Sequence, residues 1–214
     1  MALILLIETA THICSAAISL NGEIVPNGLL ESDSDKAHAQ LLAVFIDDLL
    51  KNNGYKPTDL SAIAVSCGPG SYTGLRIGVA TAKGLAYGLG IPFIAVNTLD
   101  ALAHGFLAHY PNIEPDALLC PMIDARRMEV YCKLLDTKGN TVSETEAKII
   151  ESDSFAAELA QRKVYFVGTG AQKCADIIVS EKAVFIENFN TSSAFLSKAA
   201  HTKFELKQFE DTAY

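Results

Sequence analysis

Residues 67–90, CGPGSYTGLRIGVATAKGLAYGLG, decide how the rest of the chain is read. Ala62 to Ser66 ahead of them are apolar or small and suit a strand. Gly68-Pro69-Gly70 then reverses the backbone, a place where glycine tolerates positive φ. Ser71 or Thr73 is placed to cap the helix that follows. Within that helix Gly74, Gly78, Ala82, Ala86 and Gly90 recur at every fourth position, and a second small row runs through Ala80, Gly84 and Gly88. Gly78 and Gly84 together cost about 2 kcal/mol against alanine in a helix interior. Close approach of another backbone would offset that. Between Leu75 and Gly90 the only charges are Arg76 and Lys83, so the helix is buried on more than one face. Packing within the chain and contact with a second subunit both meet that requirement.

The turn lacks the Gly-Lys-Ser/Thr of a Walker loop. Its GxGxxxG spacing, and a next strand ending at Asn97 rather than an acid, do not fit a dinucleotide fingerprint. An ordinary strand-to-helix turn and an anion site on the helix N–H groups both remain open.

The chain has 214 residues, half of them apolar, enough for a substantial core. No apolar run reaches membrane-spanning length and no cleavable leader opens the sequence, so a cytoplasmic protein without membrane association is expected. Five scattered cysteines (14, 67, 120, 132, 174) without a CxxC pair read as reduced thiols. A net charge of −8 argues against a protein that holds nucleic acid by its own surface, since phosphate binding needs a basic footprint.

Ala2 to Glu8 is a continuous apolar run, the pattern of a strand buried on both faces. Ile13 to Leu20 and Glu23 to Glu31 follow as a hairpin around Asn21-Gly22. Ser32 to Asp35 is a capping cluster, and the first helix runs from Lys36 to Asn53, stopping at Gly54. Strand 60–66, the glycine-rich helix, strand 91–96 and a helix over 99–108 complete the first half. After Pro111 to Pro115 the order repeats: strands 118–124, 129–135 and 141–150, a helix capped by Ser152 or Asp153, strand 164–167, helix 171–180, strand 183–186 and helix 193–208. Both halves read βββαβαβα. This predicts an α/β protein of two tandem ribonuclease-H-like units, residues 1–110 and 111–214, as in actin-like ATPases and sugar kinases.

In that architecture nucleotide phosphates sit on the first hairpin of each half. Here those turns are Glu8 to His12 and Asp124 to Arg127, and neither holds a glycine. Glu8, Thr9, Asp124 and Arg126 are candidate phosphate or Mg²⁺ groups, with Gly168 and Gly170 at the adenosine position. Strand-end carboxylates and turn arginines occur equally without such a role. The five histidines form no i,i+4 pair, and no GxSxG elbow surrounds Ser66, Cys67 or Ser71. The first helix carries a wide apolar arc of Leu41, Leu42, Phe45, Ile46, Leu49 and Leu50, with Val44 on its polar side. A core helix and a docking helix would look alike in this respect.

CGPGSYTGLRIGVATAKGLAYGLGIPFIAVNTLDALA, with Glu8-Thr9-Ala10, His38, and Asp124-Ala125-Arg126 before Glu129-Val130-Tyr131, resembles the bacterial TsaB (YeaZ) family over almost the whole chain. That family belongs to the machinery making N6-threonylcarbamoyladenosine at position 37 of tRNA. Its catalytic relative TsaD carries two metal-binding histidines where Asn97 and Ala101 stand here, and alanine ligates nothing. The resemblance therefore implies a metal-free, non-catalytic subunit needing no cofactor, though weak ATP or ADP binding fits its fold. It would pair with TsaD, act with TsaC-type and TsaE partners, form a homodimer alone, and meet tRNA only indirectly. The implied contact set is His38, Leu41, Leu42, Phe45, Gly74, Leu75, Arg76, Gly78, Val79, Ala82, Lys83 and Ala86. The family's Tyr-Leu-Arg/Lys tail has no counterpart at Thr212-Ala213-Tyr214. A glycoprotease-like peptidase and an independent nucleotide phosphotransferase are the rival readings.

Overall fold

The computed structural model describes residues 1–33 and 37–212. Part of the expected cap before the first helix (Ser34, Asp35), the helix start at Lys36 and the terminal Ala213-Tyr214 lie outside the described residues. The chain forms two compact units, residues 1–101 with 191–214, and residues 102–190.

In the first unit, β1 (Leu3–Glu8), β2 (Ile13–Leu20), β3 (Glu23–Asp33), β4 (Ala62–Ser66) and β5 (Phe93–Val96) form one sheet in the order β3-β2-β1-β4-β5. The pairs β1/β2 and β2/β3 are antiparallel, whereas β1/β4 and β4/β5 are parallel. The unbroken apolar run makes β1 central: all six of its residues are buried. Its alternate side chains feed two cores, as the two-residue period of a strand requires. Leu3, Leu5 and Ile7 pack with α1 (Ala37–Asn52) and α2 (Tyr72–Leu89), while Ile4 and Leu6 pack with Ala62, Ala64, Ile94, Val96, Leu196 and Ala200. α3 (Thr98–His109) follows β5.

In the second unit, β6 (Leu118–Asp124), β7 (Glu129–Asp136), β8 (Thr141–Ile149), β9 (Val164–Val167) and β10 (Ala183–Phe185) stand in the order β10-β9-β6-β7-β8. Again the pairs β6/β7 and β7/β8 are antiparallel, whereas β6/β9 and β9/β10 are parallel. The duplication expected from element order is thus a duplication of sheet topology.

Three expectations are corrected. The helix over 171–180 is only a 3₁₀ turn at Gln172–Cys174, consistent with the β-branched Ile177-Ile178-Val179, which disfavours helix. The helix expected from Ser152 or Asp153 begins at Ala156 as α4 (Ala156–Gln161), because Phe155 takes the cap position with φ 62° and buries its ring 5.3 Å from that of Phe166. The last helix splits into a 3₁₀ turn (Ser193–Leu196) and α5 (Ser197–Glu205), and it does not close the second unit. It packs on the first sheet, so the expected division at residue 110 misplaces both the boundary and residues 191–214. Among the described residues no helix is long and apolar enough to cross a membrane.

Candidate functional site

The turn between β1 and β2 is gripped by the start of α2. Ser71 N–H donates to Ala10 O at 2.6 Å, and the Ser71 hydroxyl accepts from Gly74 N–H at 3.3 Å, capping the helix. A Cβ on Gly70 would lie 2.3 Å from Ala10 O, on Gly74 2.1 Å from Thr9 O, and on Gly78 2.2 Å from Thr9 Oγ1. The close backbone approach that the glycines permit is therefore made by the chain's own β1 end. Ala82 and Ala86 continue the same buried row.

This corrects the expected contact set. Gly74, Gly78, Ala82, Ala86 and Leu42 face inward and offer no surface to a partner. Leu41, Phe45, Leu75, Val79 and Lys83 are half-buried, and Arg76 is exposed. His38 Nε2–H donates to Ile13 O (3.1 Å), tying the first turn of α1 to β2. The small row that does face outward is the other one. Ala80, Gly84 and Gly88 are exposed, and a Cβ on Gly84 or Gly88 would meet nothing within 4 Å. Tyr87 (79% exposed) and Tyr72 (71%) flank this face, Arg76 stacks 4.4 Å over the Tyr72 ring, and Val44 of the neighbouring α1 is 49% exposed. The sequence signal for this row was its four-residue spacing. Both rows are equally small, so their spacing could not show which turned outward.

Glu8 and Thr9 are fully buried. Burial pushes the Glu8 carboxyl up to about 7, although Ala10 N–H donates to its Oε1 at 2.5 Å. Its Oε2, Thr9 Oγ1 and Ser66 Oγ lack a well-formed hydrogen bond. Beside them, Ser15 Oγ bonds Ser193 Oγ (2.6 Å) and donates to Glu31 (2.8 Å), and Thr11 Oγ1 meets Thr191 Oγ1 at 2.8 Å. The β1/β2 end is thus stitched by hydroxyls to the returning segment 191–193. Those partners lie 178 and more residues away, beyond any local signal.

In the second unit the other four candidates do come together. Asp124 Oδ1 accepts from Arg126 N–H at 2.8 Å, and Asp124 N–H donates to Thr169 Oγ1 at 3.2 Å. The two glycines serve packing: a Cβ on Gly168 would lie 2.5 Å from Met122 O, and on Gly170 2.9 Å from Val130 Cγ1. Lys173, which the sequence did not flag, donates to Asp124 Oδ1 (2.5 Å), Arg127 O (2.8 Å) and Glu129 O (2.6 Å).

Asn97 Oδ1 accepts from Leu99 N–H (2.9 Å) and Asp100 N–H (3.2 Å), and so caps α3. Ala101 is buried. Among the described residues no group of three His, Cys, Asp or Glu side chains is arranged to hold a metal.

The family profile described as TsaD, tRNA N6-adenosine threonylcarbamoyltransferase, matches residues 22–207. The tRNA threonylcarbamoyladenosine biosynthesis protein TsaB of Escherichia coli is 36% identical over 179 residues, covering 81% of this chain and 74% of that protein. The chain belongs to the TsaB family. YeaZ from Pseudomonas aeruginosa superposes on all of this TsaB-family chain and on 97% of its own with a TM-score of 0.80, at 25% identity. A polyphosphate/ATP-glucomannokinase from Arthrobacter (TM-score 0.50, 11% identity, 97% of this chain and 100% of that one) shares the fold alone, and its likeness bears out the sugar-kinase architecture.

Proposed function

We propose that this TsaB-family chain is an accessory, non-catalytic subunit in the synthesis of N6-threonylcarbamoyladenosine on tRNA. It pairs with a TsaD-type threonylcarbamoyltransferase through the outward face of α1 and α2, and with a second copy of itself when alone. TsaC-type and TsaE proteins act in the same machinery, the compartment is the cytoplasm, and ATP or ADP binds weakly without being required.

The observation that carries this reading is the open row Ala80, Gly84 and Gly88. Each interior glycine costs about 1 kcal/mol against alanine. Gly74 and Gly78 are explained by the Thr9 contact, but the fold makes no use of Gly84 or Gly88. A helix from another protomer lying across that row would offset their cost, with Tyr72, Tyr87 and Val44 as flanking anchors.

The test mixes the chain with a TsaD-type subunit and measures complex mass by size exclusion with light scattering. Gly84→Leu should abolish the complex while leaving the circular dichroism unchanged. Gly78→Leu is not equivalent, since its side chain would collide with Thr9 and disturb the fold. Undiminished association of Gly84→Leu, or turnover of a peptide by the chain alone, would remove the proposal.

A further inference from the structure

The hairpin turn between β6 and β7 is built in an unusual way. Arg126 (φ 69°) and Arg127 (φ 45°) are consecutive and both left-handed, a conformation that L residues rarely adopt. The turn is held by its own frame. Ala125 N–H donates to Glu129 O (3.1 Å) and Glu129 N–H to Arg126 O (3.2 Å), while the Lys173 ammonium bridges Asp124, Arg127 and Glu129 from beneath. Because Lys173 pairs with Asp124, the only acid inside the turn is already neutralised. Both arginine side chains are exposed, and among the described residues neither guanidinium makes a hydrogen bond or ion pair. Two unspent planar forks are therefore presented by a locked backbone. Glycine would suit both positions better, and lysine would carry the charge without the fork.

We propose that the Asp124–Arg127 turn binds the phosphodiester backbone of RNA, giving this acidic chain a direct contact with tRNA. The guanidinium fork matches phosphate oxygens in pairs, and a phosphate contact carries no sequence requirement. The net charge of −8 does not oppose this, because binding depends on the local field at the turn. The assignment of RNA, rather than another phosphate, rests on the role in tRNA modification proposed above.

The test uses Arg126→Gly/Arg127→Gly, which removes both cations while relieving the backbone. An unmodified tRNA transcript is titrated by fluorescence anisotropy over a range of salt, with the full chain alone and with its TsaD-type partner. The double variant should keep or raise its thermal midpoint. Its tRNA affinity should fall about tenfold at low salt, and the slope of log affinity against log salt should become shallower by about two. Arg126→Lys/Arg127→Lys should restore most of the slope. An unchanged tRNA isotherm overturns the proposal. So does loss of Mg-ATP binding in calorimetry with tRNA binding intact, which would assign the turn to a nucleotide. Light scattering on the same samples reports the complex separately. Failure to pair would defeat the accessory reading, while the titration of the chain alone still decides the turn.

Discussion

Glu8 ends β1 with a carboxyl that water does not reach, and Ala10 N–H donates to its Oε1. Burial is the main cause of its rise from 4.5 to about 7. Between those two values the unfolded chain has released this proton and the folded chain still holds it, so stability falls as pH rises from 4.5 to about 7. Above about 7 the loss is complete, at about 3 kcal/mol. Glu8→Gln keeps an acceptor for Ala10 and removes the titration. Its thermal midpoint should exceed that of the native chain at pH 8 and converge with it near pH 5. A gap that does not change with pH would contradict the assignment. A sequence places Glu8 at a strand end, but only the fold reveals that the strand end is enclosed. Asp124 shows the opposite outcome: its turn is exposed and its charge met by Lys173, a pairing across 49 residues.

α2 carries two small-residue rows with opposite physical consequences. On Gly74 even a methyl group would overlap Thr9 O, a backbone atom that cannot move without displacing β1. Gly74→Ala should therefore destabilise the isolated chain by about 3 kcal/mol, at the upper end of overpacking costs. On Gly84 a methyl group meets open space, so Gly84→Ala should stabilise the same chain by about 1 kcal/mol through helix propensity alone. Urea denaturation of both variants checks the pair, and equal effects would refute the inward and outward assignment. The spacing of the rows was legible because it is a local period. Their direction was not, since it depends on Thr9, 65 and 69 residues upstream. The turn at Gln172–Cys174 is the contrary case, since the β-branched Ile177-Ile178-Val179 that follows it is a local signal against a helix.

The strand pattern disclosed both sheets and their repetition, because buried alternation and hairpin turns are written locally. It did not disclose that the chain returns to its first sheet at Thr191. Pro111 to Pro115 looked like a boundary on composition, yet the first sheet is completed only by the last segment. Leu196 and Ala200 cover the face formed by Ile4, Leu6, Ala62, Ala64, Ile94 and Val96. Ser193 bonds Ser15, Lys203 donates to Ala95 O (2.7 Å), and Glu210 N–H pairs with Phe93 O (2.9 Å), covering part of the β5 edge. A fragment of residues 1–110 should thus expose one whole apolar face and an open strand edge, bind a hydrophobic dye, and aggregate. Residues 1–101 joined to 191–214 through a glycine-serine linker should instead fold cooperatively on heating, with an ordered spectrum. If the 1–110 fragment proved well folded and the joined form did not, residues 191–214 could not be part of the first unit's core.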